Sequence, residues 1–257
     1  MNVRMCRSVL TVVLVDVNPK VVRAWRTAFH DTPEVEIVCG SILEQRVDAW
    51  VTPTNARGSM DGGVDAIIKH HFGPSIERSV QAEIQRSYGG AMPVGCATCV
   101  PTGGTTPRYL ISTPTMTRSA ESVRGTLNVA LACAAAFQAI HIQNAREPES
   151  IRSVALPGLG AATGRVPSRR CASLMWTGYQ LFRDAEFADF GSMRAALLDQ
   201  LSGIDSLPTG TRVRIQPPPR RELPLPVETN LLPTPDVTFQ AMPLMSTERM
   251  RERGLLS

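Results

Sequence analysis

The chain has 257 residues, of which 43% are hydrophobic and 19% charged; that suits a packed domain with a sizeable core and is too apolar for a chain that stays unfolded. A formal charge of +4 spread over this length, with Lys20 and Lys69 as the only lysines, is too dilute to mark a nucleic-acid-binding face. No apolar run reaches the roughly 20 residues that span a bilayer, and the first residues lack the long apolar region and cleavage site of a secretory signal, so a cytoplasmic protein is expected.

Short β-branched runs alternate with longer helical patterns along the chain, the signature of βαβ units and a largely parallel or mixed sheet. The first strand is predicted at 10–15. Asn18 and Pro19 then supply a cap and a first-turn proline for a helix with Val21, Val22, Trp25, Ala28 and Phe29 at helical spacing, ending near His30. Strands follow at 35–38 and 47–51, helices at 64–72 and 76–88, and strands again at 95–100 and 109–111. The longest helix is predicted over 122–143, where alanines surround Leu127, Leu131 and Phe137 in a close-packing face. A strand at 153–156 and a helix at 168–181 complete the pattern. A composition break at about 190–207 precedes a stretch holding nine of the chain's twenty prolines. The expected division is therefore a domain over 1–190 and a proline-rich arm over 191–257, which wraps the domain, stays mobile or meets a protein partner.

The six cysteines lie mostly within apolar segments and read as reduced core residues. Cys96 and Cys99 fall in a strand-like stretch whose alternation separates them, and His70 and His71 point apart on a helix, so no metal site and no cofactor is expected. A serine triad lacks its nucleophile elbow.

Three segments at strand ends carry the chemistry. Val47-Asp48-Ala49-Trp50-Val51-Thr52-Pro53-Thr54-Asn55 is a buried strand ending in a lone amide, which offers both a donor and an acceptor to a sugar hydroxyl. Gly58-Ser59-Met60-Asp61-Gly62-Gly63-Val64-Asp65 is a glycine turn opening a helix, where backbone can approach a ligand and the helix start favours negative charge. Pro157-Gly158-Leu159-Gly160-Ala161-Ala162-Thr163-Gly164-Arg165 joins a strand to a helix through small residues, a nest for a diphosphate.

Taken together, these segments resemble the macrodomain family over about residues 35–182. In that family a strand reading V-D-A-I-V-N-A-A-N precedes a G-G-G-V-D turn, and a later strand carries P-x-x-S/G-T-G. Here Thr52 stands for the earlier asparagine and Asp61 for the first glycine. The M-D-G-G and P-G-L-G motifs are similar to a bacterial and phage-associated branch. The resemblance implies a three-layer α/β/α fold with a mixed central sheet and a cleft for ADP-ribose or an ADP-ribosylated protein. It implies that Asn55, Gly62, Gly63, Val64 and Asp65 face the ribose distal from adenine. The loop of Gly158, Leu159, Gly160, Ala161, Ala162, Thr163, Gly164 and Arg165 would wrap the diphosphate. Adenine would lie near Ser41 and Ile42, where Ser41 replaces the aspartate that commonly accepts from the adenine amine. The later loop also lacks the aromatic that many hydrolytic members place against the distal ribose.

Two functions follow from this resemblance. In the first, Asn55 and Asp65, with Asp61 as a second carboxylate, orient the sugar and polarise a water for mono-ADP-ribose hydrolysis. In the second, the protein is a reader that binds ADP-ribose or an NAD-derived metabolite and turns nothing over.

Overall fold

The computed structural model describes residues 10–202. The first strand, β1 (Thr11–Asp16), runs one residue later than predicted, and its last side chain begins the next turn: the Asp16 carboxylate accepts from Asn18 N at 2.8 Å. Asn18 Oδ1 in turn accepts from Lys20 N at 3.0 Å, capping α1 (Pro19–Ala28), whose Val21, Val22 and Trp25 are buried. Next come β2 (Val35–Cys39), a single 3-10 turn (Ile42–Glu44) and β3 (Ala49–Thr52). Val47 and Asp48, expected in this strand, precede it. Asp48 instead accepts from the backbone of Arg152 and Ser153, which fixes the entry to β3 beside the entry to a later strand.

Helices α2 (Gly63–Phe72) and α3 (Pro74–Tyr88) lead to β4 (Thr98–Pro101) and β5 (Tyr109–Ser112). The start of β4 is later than expected because Gly95 adopts φ +87° and Cys96 N bonds to Pro93 O in a turn. Then come α4 (Asn128–Arg146), β6 (Ser153–Leu156), α5 (Ser168–Asp184) and α6 (Phe190–Ser202). The residues at 122–127 are not helical as predicted. Val123 N donates to Gly164 O, a tertiary bond that holds this segment against the loop after β6. Helix α6 also departs from the expected boundary: Met193, Leu197 and Leu201 are core residues, so the packed unit continues past residue 190. The remainder of the expected arm, 203–257, lies outside the described residues.

The six strands form one sheet in the order β2-β1-β6-β3-β5-β4, parallel throughout except for β4, which runs antiparallel to β5. Strand alternation divides the core. Val12 and Leu14 of β1 face α1, α4, α5 and α6, whereas Val13 and Val15 face α2 and α3. This is a three-layer α/β/α arrangement with a mixed sheet. Five parallel strands end on the same side, so the loops that follow them gather at one edge, where open α/β sheets place their ligand crevice.

The alanine-rich α4 and α5 lie close together. A Cβ on Gly178 would sit 2.7 Å from Ala130 O and 2.9 Å from Ala134 N. Replacing Gly178 with alanine forces the helices apart and is expected to cost about 1–3 kcal/mol, measurable as a lower midpoint in urea unfolding.

Candidate ligand site

At the carboxyl ends of the parallel strands lies a cavity of about 420 Å³. A wider hollow of about 640 Å³ lies by Leu10 and Ile151, at the amino ends of the strands, and has no glycine loop in its wall. The smaller cavity is the better site because it collects the polar and backbone groups that recognise a ligand.

Asp65 lies at its floor, supported from beneath by the polar end of β3. Thr52 closes the strand fully buried, and its Oγ1 donates to Asp65 Oδ1 at 2.5 Å. Asp65 belongs to the first turn of α2 and is 8% exposed. Burial pushes its carboxyl up from the ordinary value to about 7, against the lowering effect of the Thr52 bond and with a smaller upward push from Asp61. Its side chain is thus not the solvent-facing charge that an isolated aspartate in a first helical turn would be.

Asn55 organises the wall beside it. Its Oδ1 accepts from Arg57 N at 2.9 Å and Ser59 N at 3.2 Å, and its Nδ2 donates to Ser119 Oγ at 2.7 Å. The turn it pins needs Gly58, where φ is +71° and a Cβ would press on Ile84 and Val80. The same turn is tied from outside. Met60 N donates to Glu77 Oε1, Glu77 pairs with Lys69 at 2.6 Å, and Lys69 reaches Asp61 at 3.3 Å. Asp61 therefore borders the cavity but is largely exposed and ion-paired at its rim. Gly62, the residue before α2, provides no side-chain cap, so the amides that open this helix are left for solvent or a ligand.

The loop after β6 faces that helix start. Thr163 Oγ1 stands 3.6–3.9 Å from where Cβ atoms on Gly63 and Gly62 would be, so the two loops meet across the cavity. Gly164 is obligatory, since a Cβ there would lie 2.7 Å from Gly160 O. Gly158, Gly160, Ala162, Thr163 and Gly164 line the cavity. Three other expected contacts of this loop point elsewhere. Leu159 is fully buried and packs into the core, and Ala161 rests against the same core. Arg165 adopts φ +56° and is exposed, outside the cavity wall. Ser41 and Ile42 do line the cavity, as do Gly62, Gly63 and Val64, but the Ser41 hydroxyl accepts from Leu43 N to cap its own 3-10 turn.

The Macro domain family model matches residues 51–175. The chain belongs to the macro domain family. An uncharacterized protein of Aquifex aeolicus is 33% identical over 147 residues, covering 55% of this chain and 78% of that protein. Among solved structures, the macrodomain of Mycobacterium tuberculosis DarG is 22% identical with a TM-score of 0.47, covering 57% of this chain and 90% of that one. An Oceanobacillus iheyensis macrodomain mutant with ADPR is 16% identical with a TM-score of 0.43, covering 64% of this chain and 91% of that one.

Several wall residues of this macrodomain were not among those expected from the sequence: Asp16 at the end of β1, Val17 after it, and Thr115, Met116 and Ser119 after β5. Asp16 Oδ2 accepts from Gly158 N at 3.1 Å, which ties β1 to the glycine loop. The aspartate closing a buried strand before Asn18 and Pro19 was visible, but its role requires knowing that β1 lies next to β6. The segment after β5 carries no glycine signature and comes close through an isolated parallel bridge between Asn55 and Met116.

Thr52→Val keeps the side-chain volume and removes the donor to Asp65. The carboxyl is then expected to ionise about one pH unit higher than in the parent, read from the Asp65 carboxyl signal in an NMR pH titration.

Proposed function

We propose that this macrodomain binds ADP-ribose in the cavity and hydrolyses mono-ADP-ribose from modified proteins or a related ADP-ribosyl derivative. The observation that carries the reading is a buried carboxylate, Asp65, set at the floor beside Asn55 and beneath two facing glycine loops. The helix start at Gly62 and Gly63 and the loop at Gly160 to Gly164 present backbone to an elongated anionic ligand, as a diphosphate between two sugars requires.

In this reading the distal ribose lies over Asn55 and Asp65. Asn55 Nδ2, which points at Ser119, donates to a sugar hydroxyl when the ligand enters. Ionised Asp65 accepts a proton from a water that adds to C1″ as the bond to the modified side chain breaks. The bonding electrons leave with that side chain, which takes a proton from solvent while Asp65 gives up to solvent the one it received, and the products are free ADP-ribose and the unmodified group. The developing oxocarbenium charge is favoured by the carboxylate below it. Asp61, held by Lys69 at the rim, contributes only a distant negative charge. A carboxyl that titrates at about 7 is ionised in appreciable amount at neutral pH and is still basic enough to take a proton.

Reading without turnover draws on a different observation: Asn55 Oδ1 is already committed to the Arg57 and Ser59 amides. In that case the amide shapes the pocket and the protein holds ADP-ribose or an NAD-derived metabolite unchanged.

Calorimetric titration with ADP-ribose, with AMP and NAD as controls, tests binding, and release of ADP-ribose from a modified protein tests turnover. Turnover is expected to rise with pH through about 7 and then level off, because the base must be ionised. Asp65→Asn should lower it about 100-fold or more while ADP-ribose still binds, and Asp61→Ala should have a much smaller effect. Wild-type binding without measurable turnover selects the reader.

The same substitution has a stability signature. Because the folded-state carboxyl titrates above its ordinary value of 3.8, its ionisation costs stability progressively as pH rises from about 4 through 7. Asp65→Asn is therefore expected to raise the melting temperature at pH 8 and to leave it nearly unchanged at pH 4, checked by calorimetric scans at both.

A further inference from the structure

We infer that Asp16 is the residue that selects the nucleobase, accepting a hydrogen bond from the exocyclic amine of adenine. The inference rests on the reading of the cavity as an ADP-ribose site. The Ser41 hydroxyl lines the cavity, but it is uncharged, and with the Leu43 amide on its one oxygen it keeps a single lone pair, where a carboxylate has two charged oxygens. Two charged acceptors flank the Gly40-Ser41 turn: Glu44, whose Oε2 lies 3.3 Å from where a Cβ on Gly40 would be, is outside the cavity wall, and Asp16, the last residue of β1, is within it. Register places it opposite Cys39, and Gly40 N donates to Asp16 O, so Asp16 stands beside the Gly40-Ser41 turn in the same cavity wall.

Its carboxylate is held in place. Oδ1 accepts from Asn18 N and Oδ2 from Gly158 N, one amide for each oxygen. Each oxygen keeps acceptor capacity for a further donor. The negative charge also settles which end of the ligand comes here. A phosphate beside Asp16 would meet a like charge, and the Gly158 amide that would have bound it is already taken. Phosphates therefore belong further along, over Gly160 and Ala162 to Gly164, and an uncharged group with donors belongs at the β1 end.

The cavity mouth supplies apolar surface for such a group. The two large hydrophobic side chains exposed among the described residues, Val17 at 73% and Ile67 at 50%, both line this cavity, from the turn after β1 and from α2. Exposed apolar side chains gathered at one cleft fit the flat faces of a heterocycle, which covers them on binding. Edge recognition by Asp16 and face contact with Val17 and Ile67 together describe a purine subsite built from β1.

The test compares ADP-ribose with its hypoxanthine counterpart, inosine diphosphate ribose, by calorimetric titration. The two share diphosphate and sugars, but hypoxanthine offers a carbonyl oxygen where adenine offers the amine. Wild-type protein is expected to prefer ADP-ribose by roughly 10- to 100-fold. Asp16→Asn and Asp16→Ala should bring the ratio of the two affinities close to one, and Ser41→Ala should leave it unchanged. Damage to the glycine loop weakens both ligands together, so the ratio reports base recognition even if absolute affinity falls. Thermal melting confirms that each variant is folded. A ratio that survives both Asp16 substitutions, that is lost in Ser41→Ala, or that is absent in the wild type overturns the assignment while ADP-ribose binding stands. Failure of the wild type to bind ADP-ribose at all overturns the underlying reading, and this one with it.

Discussion

A carboxyl group buried beneath the ends of a parallel sheet costs free energy to ionise, and the arrangement around Asp65 is organised by that cost. The Thr52 hydroxyl supplies the hydrogen bond that partly offsets it, and for this β3 must end with Thr52 facing α2. The first turn of α2 must then sit close to that strand end. Its start is held there by Asn55 from within and by the Glu77 and Lys69 pair from outside. Rim ion pairs contribute little energy on their own. Their role here is positional, fixing the Met60 and Asp61 turn so that Gly62 and Gly63 turn toward the cavity.

Much of this architecture was legible in the sequence, because alternating β-branched runs and helical periodicities respond to burial directly. Elements failed to match where a tertiary bond overrode the local pattern. The stretch at 122–127 reads as helix, yet Val123 bonds to Gly164 and serves as a support for the glycine loop. The start of α6 falls where the composition changes, and only the docking of Met193 and Leu197 shows that the core reaches past that change. Neither partner is near in sequence, so no window of residues could have carried the signal.

For the site, legibility followed the kind of group. Glycine turns and the amide ending a strand were visible because few other residue types serve there, and Asn55, Asp65, Gly62 and Gly63 all face the cavity. A run of small residues does not announce which of its members turn inward, and so Leu159 and Arg165 were included with their neighbours although one packs inward and the other points out. The role of Asp16 was hidden for the opposite reason. A strand-ending aspartate that caps the following turn is ordinary, and only the pairing of β1 with β6 brings it to Gly158.

The meeting of the two glycine loops separates access to the cavity from stability of the fold. Gly62 has an extended φ of −152°, open to any residue, and a methyl group there would touch only Thr163 Oγ1 at 3.9 Å. Gly63, at φ +57°, has no such latitude. Side chains at Gly62 and residue 163 therefore set an aperture, and its width can change in either direction without strain in the backbone. A pocket governed in this way can be narrowed, widened or sealed by single substitutions that the core does not register.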